Sequence, residues 1–585
     1  MAEIPVQTTA DVIAAALKRH GISLIFGQSN PPSLLLAAEK VGIRQLFYRT
    51  ENAGGAMADG FARISGRISV IAVQNGPAAT LAVAPMGEAL KASIPLLVLV
   101  QDTPADCRDR NAFQEFDHFT LFASVSKWTR RIDDPSRAQD YVDQAVTVAT
   151  SGRPGPVVLL LPTDVLDMPA QPARFRRTLD LGSFPRDRTR PEIAAVQRAA
   201  KLIATAELPV LIAGGGVHLS DAVTELEALQ ATACIPVATT SMGKGSVAET
   251  SPLSLGVAAH IMGRNGPAHF HSSLISDADV VILVGTRTNE NGTDSWTLTS
   301  PDATYVHIDI DSLEIGRNYE SVRLVGDARS ALADLTAALK GMDLSKRRQR
   351  EPNLVAKIAE GRRKHLAAVA PAVSSDQTPI APERLLSELG ALLDPHDIVV
   401  ADASYASVWV AAYLTAKRGG QRFLVPRGQA GLGWGLPLGI GAKLASPTAR
   451  VVAIVGDGGF AHVWSELETA VREKAPVVVI VLNNGLLGMQ RHGENCLFGK
   501  TTTAIRFLDV DHAAIAKAVG AKGLSVAKPE DIRPALVEAL SSKLCTVLDV
   551  AVDPDAYAPV RMFDNQRDRL NAYLPSQPNG INANC

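Results

Sequence analysis

The stretch VVAIVGDGGFAHVWSELETAVREKAPVVVIVLNN, residues 451–484, decides the fold. Five apolar residues, Val451 to Val455, lead into Gly456-Asp457-Gly458. A second apolar run, Val477 to Leu482, leads into Asn483-Asn484. The segment from Val463 to Lys474 between them reads as a helix. Two buried strands joined by a helix form a βαβ unit of a parallel sheet. Ligands of such sheets bind outside the carboxyl ends of the strands, where both motifs stand. Asp457 brings an anionic oxygen and Asn484 an amide oxygen. Mg²⁺ takes oxygen ligands of this kind, commonly one or two from protein and the rest from phosphate and water. Glycines beside Asp457 let backbone N–H groups come close to phosphate oxygens. The pattern predicts a magnesium-bridged diphosphate. A Gly-Asp-Gly alone also marks an ordinary strand-to-helix turn; the strand context and the paired asparagines favour the ligand.

Outward from this unit the chain reads as α/β throughout. A length of 585 residues exceeds one hydrophobic core. The first block, 8–169, opens on an amphipathic helix at Asp11 to His20. Strands are predicted at Leu24-Phe26, Gln45-Tyr48, Ile68-Val73, Leu96-Val100 and Val157-Leu161. A Pro- and Arg-rich linker follows, to Pro191. The second block, 192–339, carries the buried strand PVLIAGGGV from Pro209 and two more, DADVVILVGTRT and ATYVHIDID. Residues 340–379 are charged and read as a partly helical linker. The third block, 380–552, holds the DIVVADAS strand, a helix in GLGWGLPLGIGAKLA and the Gly-Asp-Gly unit; 553–585 forms a tail. The expected fold class is α/β, with three doubly wound parallel-sheet domains.

Composition excludes several classes. A net charge of −2 gives no electrostatic case for nucleic acid or an anionic membrane. No apolar run is long enough to span a bilayer. Five scattered cysteines lack metal-ligand spacing, and the first residues show no basic-then-apolar signal pattern; both point to the cytoplasm.

The Gly-Asp-Gly and Asn-Asn spacing resembles the cofactor motif of thiamine diphosphate (ThDP) enzymes. FYRTENAGGAMADGFAR from Phe47 resembles the segment that carries the catalytic glutamate in their acetolactate synthase branch. NAFQEFD from Asn111, SGRPGPVVLLLPTDV from Ser151, HIDIDSLEIGRN from His307 and GLGWGLPLGIGAKLA from Gly431 are similar to that branch too. The likeness runs from about Thr8 to about Asp553.

This resemblance implies a site. Glu51 would hydrogen-bond N1′ of the aminopyrimidine, which needs a carboxyl kept near neutrality by burial. Asp457, Asn484 and the backbone oxygen of Leu486 would hold Mg²⁺. Gly456, Gly458 and Gly459 would receive phosphate oxygens, with Ala403 and Ser404 beside them. Leu432, next to Gly431, would force the cofactor into its bent form. Asn75, Leu487, Gly488 and Met489 would line the cofactor. Gln28, Gln114 and His492 are the substrate-side candidates, with Asn30, Gln74 and Arg491 less diagnostic. Each has a plainer reading: Glu51 as a helix-start carboxylate, Ser404 as a helix cap, Leu432 and Met489 as core.

The implied function is ThDP- and Mg²⁺-dependent decarboxylation and carboligation of a 2-oxo acid such as pyruvate, in a homodimer or homotetramer. Departures from the branch keep alternatives open. GQSNPP at Gly27–Pro32 replaces a glycine-rich turn, and the branch's substrate-specifying tryptophan is replaced around Gly493. A carbon–carbon lyase for a 2-hydroxy ketone or 2-hydroxyacyl thioester is therefore the alternative. The glycines from Gly214 leave FAD open in the central block, with a flavin-dependent oxidase as a further reading, although GTRTNENGT departs from the branch there. A binding-only nucleotide regulator would have no need of Glu51.

Overall fold

The computed structural model describes residues 7–171 and 175–563. Three six-stranded sheets follow one another along the chain. The first comprises β1 (Leu24–Gly27), β2 (Arg44–Leu46), β3 (Ser69–Val73), β4 (Leu96–Asp102), β5 (Trp128–Arg131) and β6 (Val157–Pro162). Its order is β2-β1-β3-β4-β6-β5, and its strands pair in parallel. The second comprises β7 (Pro209–Ala213), β8 (Val237–Thr239), β9 (Ser254–Val257), β10 (Val280–Val284), β11 (Thr304–Asp309) and β12 (Ser321–Val325). Its order, β12-β11-β10-β7-β8-β9, is that of a dinucleotide-type doubly wound sheet. The third comprises β13 (Ile398–Ala401), β14 (Phe423–Leu424), β15 (Val451–Gly456), β16 (Val477–Asn483), β17 (Lys522–Val526) and β18 (Thr546–Ala551). Its order, β14-β13-β15-β16-β18-β17, repeats that of the first sheet.

The strands form where apolar runs are buried on both faces, as parallel sheets require. β3 and β6 are buried along their whole length. Val70, Leu97, Leu99 and Leu159 pack with Ile13 and Leu17 of the first helix. In the third sheet Val399, Ile454, Ile480 and Leu548 pack with Val408, Ile532 and Leu536.

The described residues fall into two compact units. One is drawn from Met1–Asp187, Pro426–Val451 and Val463–Val477, the other from Arg188–Val425, Val452–His462 and Val478–Cys585. Two helices that link strands of the third sheet, Gly435–Ala445 and Glu466–Arg472, thus belong with the first sheet. Glycine explains how closely one of them packs there. A Cβ on Gly60 would lie 2.3 Å from the Leu438 carbonyl oxygen, and one on Gly441 1.9 Å from that of Met57. The helix Glu51–Ser65 and the helix Gly435–Ala445 therefore touch backbone to backbone.

Several expected elements differ. The helix expected over 463–474 is shorter, Glu466–Arg472, and a separate short helix, Asp457–Ala461, precedes it. β2 stops at Leu46, and Tyr48 lies beyond it, donating its hydroxyl to the Ala72 carbonyl at 3.2 Å. The supposed partly helical linker holds a 29-residue helix, Ser345–Val373. It is anchored by the buried Arg347 guanidinium, on the carbonyls of Ala233 (3.1 Å) and Cys234 (3.0 Å). Gly431 and Leu432 precede the helix that begins at Gly435 rather than lying in it. Residues 564–585 of the expected tail lie outside the described residues.

Candidate functional site

In the first unit the candidates gather at the carboxyl ends of β1, β2 and β3. Glu51 is the first residue of its helix and only 6 % exposed. Thr50 caps that helix, its hydroxyl accepting the Ala53 N–H. The Glu51 carboxyl has no hydrogen bond to another described residue, and burial pushes it above the ordinary glutamate range; contact with its own N–H only partly offsets this. Gln28 follows β1, and its amide donates to the carbonyls of Tyr48 (3.0 Å) and Arg49 (3.2 Å). Asn75 follows β3, and its amide donates to the carbonyls of Phe113 and Gln114, each at 3.1 Å. Gln114 has φ +57°, and its Oε1 is buried without a partner. Asn30 bonds back to the Gln28 carbonyl at 3.2 Å, and Gln74 borders Asn75.

The Gly428–Ala430 backbone before Leu432 is shaped by Glu88, a residue the sequence reading missed. Its buried carboxylate accepts N–H groups from Gly428 (2.6 Å), Gln429 (2.5 Å) and Ala430 (3.3 Å). Arg63 pairs with Asp59 and approaches Glu88 at 3.9 Å. His118, also missed, accepts the Gly76 N–H (3.2 Å) while its other ring nitrogen faces Asp102 (3.1 Å). That chain fixes the turn after β3.

In the second unit the candidates lie where the strand order reverses, between β13 and β15, and at the end of β16. Ser404 stands at the start of the helix Tyr405–Tyr413 with φ +63°, but its side chain does not cap it. Asp457 is 6 % exposed and accepts the Gly485 N–H at 2.8 Å. Its carboxyl is pushed up to about 6, by burial first and also by Asp549. Of the two asparagines, Asn483 is spent on structure, donating to Asp549 (3.0 Å) and the Val510 carbonyl (3.3 Å). Asn484 turns back instead, accepting the Leu486 N–H at 3.2 Å.

Leu486 faces Arg506 as an antiparallel bridge held by Leu487 N to Ile505 O (2.8 Å) and Phe507 N to Gly485 O (2.9 Å). The Leu486 carbonyl therefore points away from that bridge. Gly456 is open around the place of a Cβ, whereas Phe507 packs 2.9 Å from that of Gly458, with Gly459 buried beside it. Gly488 and Met489 open the helix Gly488–Phe498 after Leu487, and a Cβ on Gly488 would meet the Tyr405 ring at 2.8 Å.

His492, by contrast, is held in an aromatic box. Its Nδ1 meets the Tyr405 hydroxyl at 2.6 Å, and its ring stacks on Tyr557 at 4.4 Å. Phe563 packs edge-on at 5.1 Å, and burial lowers His492 to about 4. Arg491 is engaged by the Pro554 carbonyl and Asp555. Gly493 leaves room for Phe563, whose ring lies 2.9 Å from where a Cβ would stand.

Comparison with known proteins bears on the whole chain. Models of thiamine pyrophosphate enzymes match it three times: the N-terminal TPP binding domain over residues 7–121, the central domain over 196–335 and the C-terminal TPP binding domain over 402–550. A probable acetolactate synthase large subunit of Methanocaldococcus jannaschii is 33% identical over 563 residues, 94% of this chain and 93% of the relative. Its counterpart in Methanococcus aeolicus is 32% identical, with 94% and 92% covered, and an acetolactate synthase of Arthrospira platensis is 31% identical, with 96% and 97% covered. The chain belongs to the thiamine pyrophosphate enzymes. The α/β architecture of three parallel-sheet domains expected from sequence is that family's.

The residues of this thiamine pyrophosphate enzyme fit a cation and diphosphate at Asp457. A buried carboxylate held above its usual range, an amide oxygen one loop away and an outward carbonyl make an all-oxygen donor set. Among the described residues no three His, Cys, Asp or Glu side chains cluster as a metal site. A cation here would thus draw further oxygens from its ligand. The central glycines fit a second nucleotide less well. Gly214 N donates to Val284 O (2.8 Å) and Gly216 N to Gly285 O (3.0 Å). A Cβ on Gly214 would lie 2.2 Å from Gly285 O. These glycines pack one turn onto another, and the N–H groups of Gly214 and Gly216 are spent doing so. β8 ends at Thr239, and Thr240 follows it, without the acidic residue that binds a ribose. No described helix is long and apolar enough to cross a membrane.

Proposed function

We propose that this enzyme decarboxylates a 2-oxo acid of the pyruvate type and joins the remaining fragment to a second carbonyl compound, as an acetolactate synthase does. The observation that carries the reading is Glu51: buried, free of hydrogen bonds to other residues, and raised in pKa. It stands on a chain whose relatives named acetolactate synthase match over most of its length. When bound, ThDP supplies the electron sink for loss of CO2.

The chain's own residues do the rest. Glu51 holds and shares a proton at a carboxyl oxygen facing the aminopyrimidine. Asp457, Asn484 and the Leu486 carbonyl would hold Mg²⁺, while Gly456, Gly458 and Gly459 would admit phosphate oxygens, with Ala403 and Ser404 also on the diphosphate side. Leu432 and Met489 would contact the cofactor, with Gly431, Leu487, Gly488 and Asn75 as further lining residues. Gln114 and Gln28 face the substrate, the first through its unpartnered Oε1. His492 backs the pocket as a neutral ring in its aromatic box.

The proposed domains are 8–169, 192–339 and 380–552, with the linker 340–379 and the tail from 553. The chain works in the cytoplasm as a homodimer or homotetramer, because the pyrimidine and diphosphate sides come from different copies. Incubation with ThDP, Mg²⁺ and ¹³C-labelled pyruvate, followed by NMR, tests the reading. Labelled CO2 with acetolactate or acetaldehyde is expected; untouched pyruvate overturns it and favours the lyase.

A further inference from the structure

Glu466 is a buried carboxylate that the proposed chemistry does not use. It opens the helix Glu466–Arg472 and is wholly inaccessible. Its Oε1 accepts two backbone N–H groups, from Arg49 at 3.0 Å and Thr50 at 3.1 Å. Its Oε2 accepts the Thr469 hydroxyl at 2.7 Å. Thr50 is the cap of the helix that Glu51 begins. The two N–H groups therefore lie just ahead of that helix, where no intrahelical partner exists for them.

The same short helix grips the segment at three further points. Arg472 donates to the Phe47 carbonyl at 2.6 Å, Arg49 to Glu468 at 3.0 Å, and Arg44 pairs with Glu473. From the other side Gln28 holds the carbonyls of Tyr48 and Arg49. The peptide groups before Glu51 are thus fixed by donors on one side and an acceptor on the other.

We infer that Glu466 is a positioning residue for Glu51. This rests on the proposed role of Glu51. By taking the N–H groups of Arg49 and Thr50, Glu466 leaves the Glu51 carboxyl without a competing backbone donor from those residues and sets the backbone from which it projects. A catalytic carboxyl must be held to within a fraction of an ångström, and loosening of that order costs about 100-fold in rate.

The distinguishing variants are Glu466→Gln and Glu466→Ala in the full chain, with Glu51→Gln as control. Glutamine keeps an Oε1 for both N–H groups and an amide for Thr469; alanine keeps neither. Glu466→Ala is expected to lower kcat about 10- to 100-fold, with the KM for pyruvate and the ThDP affinity within about twofold of the parent. Glu466→Gln is expected to restore most of that loss. Hydrogen exchange of the peptide 44–53 in the cofactor-free chain should quicken in the alanine variant and not in the glutamine one. A kcat within about twofold for Glu466→Ala, beside an inactive Glu51→Gln, overturns the inference alone. A joint loss of ThDP affinity and thermal stability in both variants overturns it too, as a purely structural role. An active Glu51→Gln overturns the reading of Glu51 itself.

Discussion

Glu51 and Asp457 are both carboxyls held above their ordinary range by burial, yet their surroundings assign them different work. The Glu51 carboxyl has no hydrogen bond to another described residue, only contact with its own N–H, so it can exchange a proton with a bound ring. Asp457 accepts the Gly485 N–H and stands near the amide oxygen of Asn484 and the outward carbonyl of Leu486, a setting for a cation. Glu51→Gln should keep ThDP binding and lower kcat by about 10²- to 10⁴-fold, the usual share of general acid–base catalysis; steady-state kinetics beside calorimetric ThDP titration checks both halves. Asp457→Ala should weaken Mg²⁺-dependent ThDP binding by at least the ~10- to 100-fold that losing an outer-sphere partner costs. Titration of ThDP at several Mg²⁺ concentrations would refute this if affinity stayed unchanged. These residues were legible because each sits in a local motif at a strand end. Glu88 and His118 were not, because their partners lie 340 and 42 residues away. Glu466 left one trace: a charged residue three and four positions from the buried Thr469 and Ala470, on the face that is buried. His492 was visible, but not its partners, Tyr405 and Phe563, which are remote in sequence.

At the level of elements, the helices Glu51–Ser65 and Gly435–Ala445 show what the glycines are for. On an exposed helix, alanine in place of glycine stabilises by up to about 1 kcal/mol. At Gly441 the added methyl would stand 1.9 Å from the Met57 carbonyl oxygen, so the helices must separate. Gly441→Ala is therefore expected to destabilise by about 1–3 kcal/mol or more, as overpacking does. A Cβ on Gly390, in the helix Pro382–Leu392, would meet Leu414 Cδ2 at an ordinary 3.7 Å, and Gly390→Ala should be neutral or stabilising. Opposite shifts of the two melting temperatures are the check; a stabilised Gly441→Ala would break the account. Sequence periodicity placed β1, β3, β4, β6, β15 and β16 within a residue or two. It passed over β5, β8, β9, β12, β14, β17 and β18; β8 and β14, three and two residues long, offer no period to read. It also began the helix Glu466–Arg472 at 463 rather than at Glu466, a start that depends on tertiary contacts with the segment 47–50.

At the scale of the whole chain, the sequence conveyed an α/β class and a repeated strand-helix rhythm, and the first and third sheets do share one strand order. It could not convey that helices 435–445 and 466–472 would leave their own sheet's unit, since glycine-mediated approach over nearly 400 residues has no local signature. Acid stability is a property of the same scale. His271, His307 and His492 are almost wholly buried, and desolvation lowers each from 6.5 to about 4. His307 is kept neutral by burial and by the nearby Arg323 charge, against a 3.0 Å contact with the Thr286 carbonyl that favours the charged ring, and His492 by burial in its aromatic box. The unfolded chain takes up protons near pH 6.5, whereas the folded chain refuses them until about 4. Because the unfolded state binds more protons across that interval, stability falls as pH drops through it, by about 1.4 kcal/mol per pH unit for each group. Above pH 7 these histidines leave the stability flat. Thermal unfolding between pH 7.5 and 4.5 should show a midpoint that declines steadily below about 6.5. His492→Phe should remove one proton's share of the slope while keeping the ring stacked on Tyr557. An unchanged slope in that variant would mean that His492 is already charged in the folded chain, and the neutral aromatic box would have to be given up.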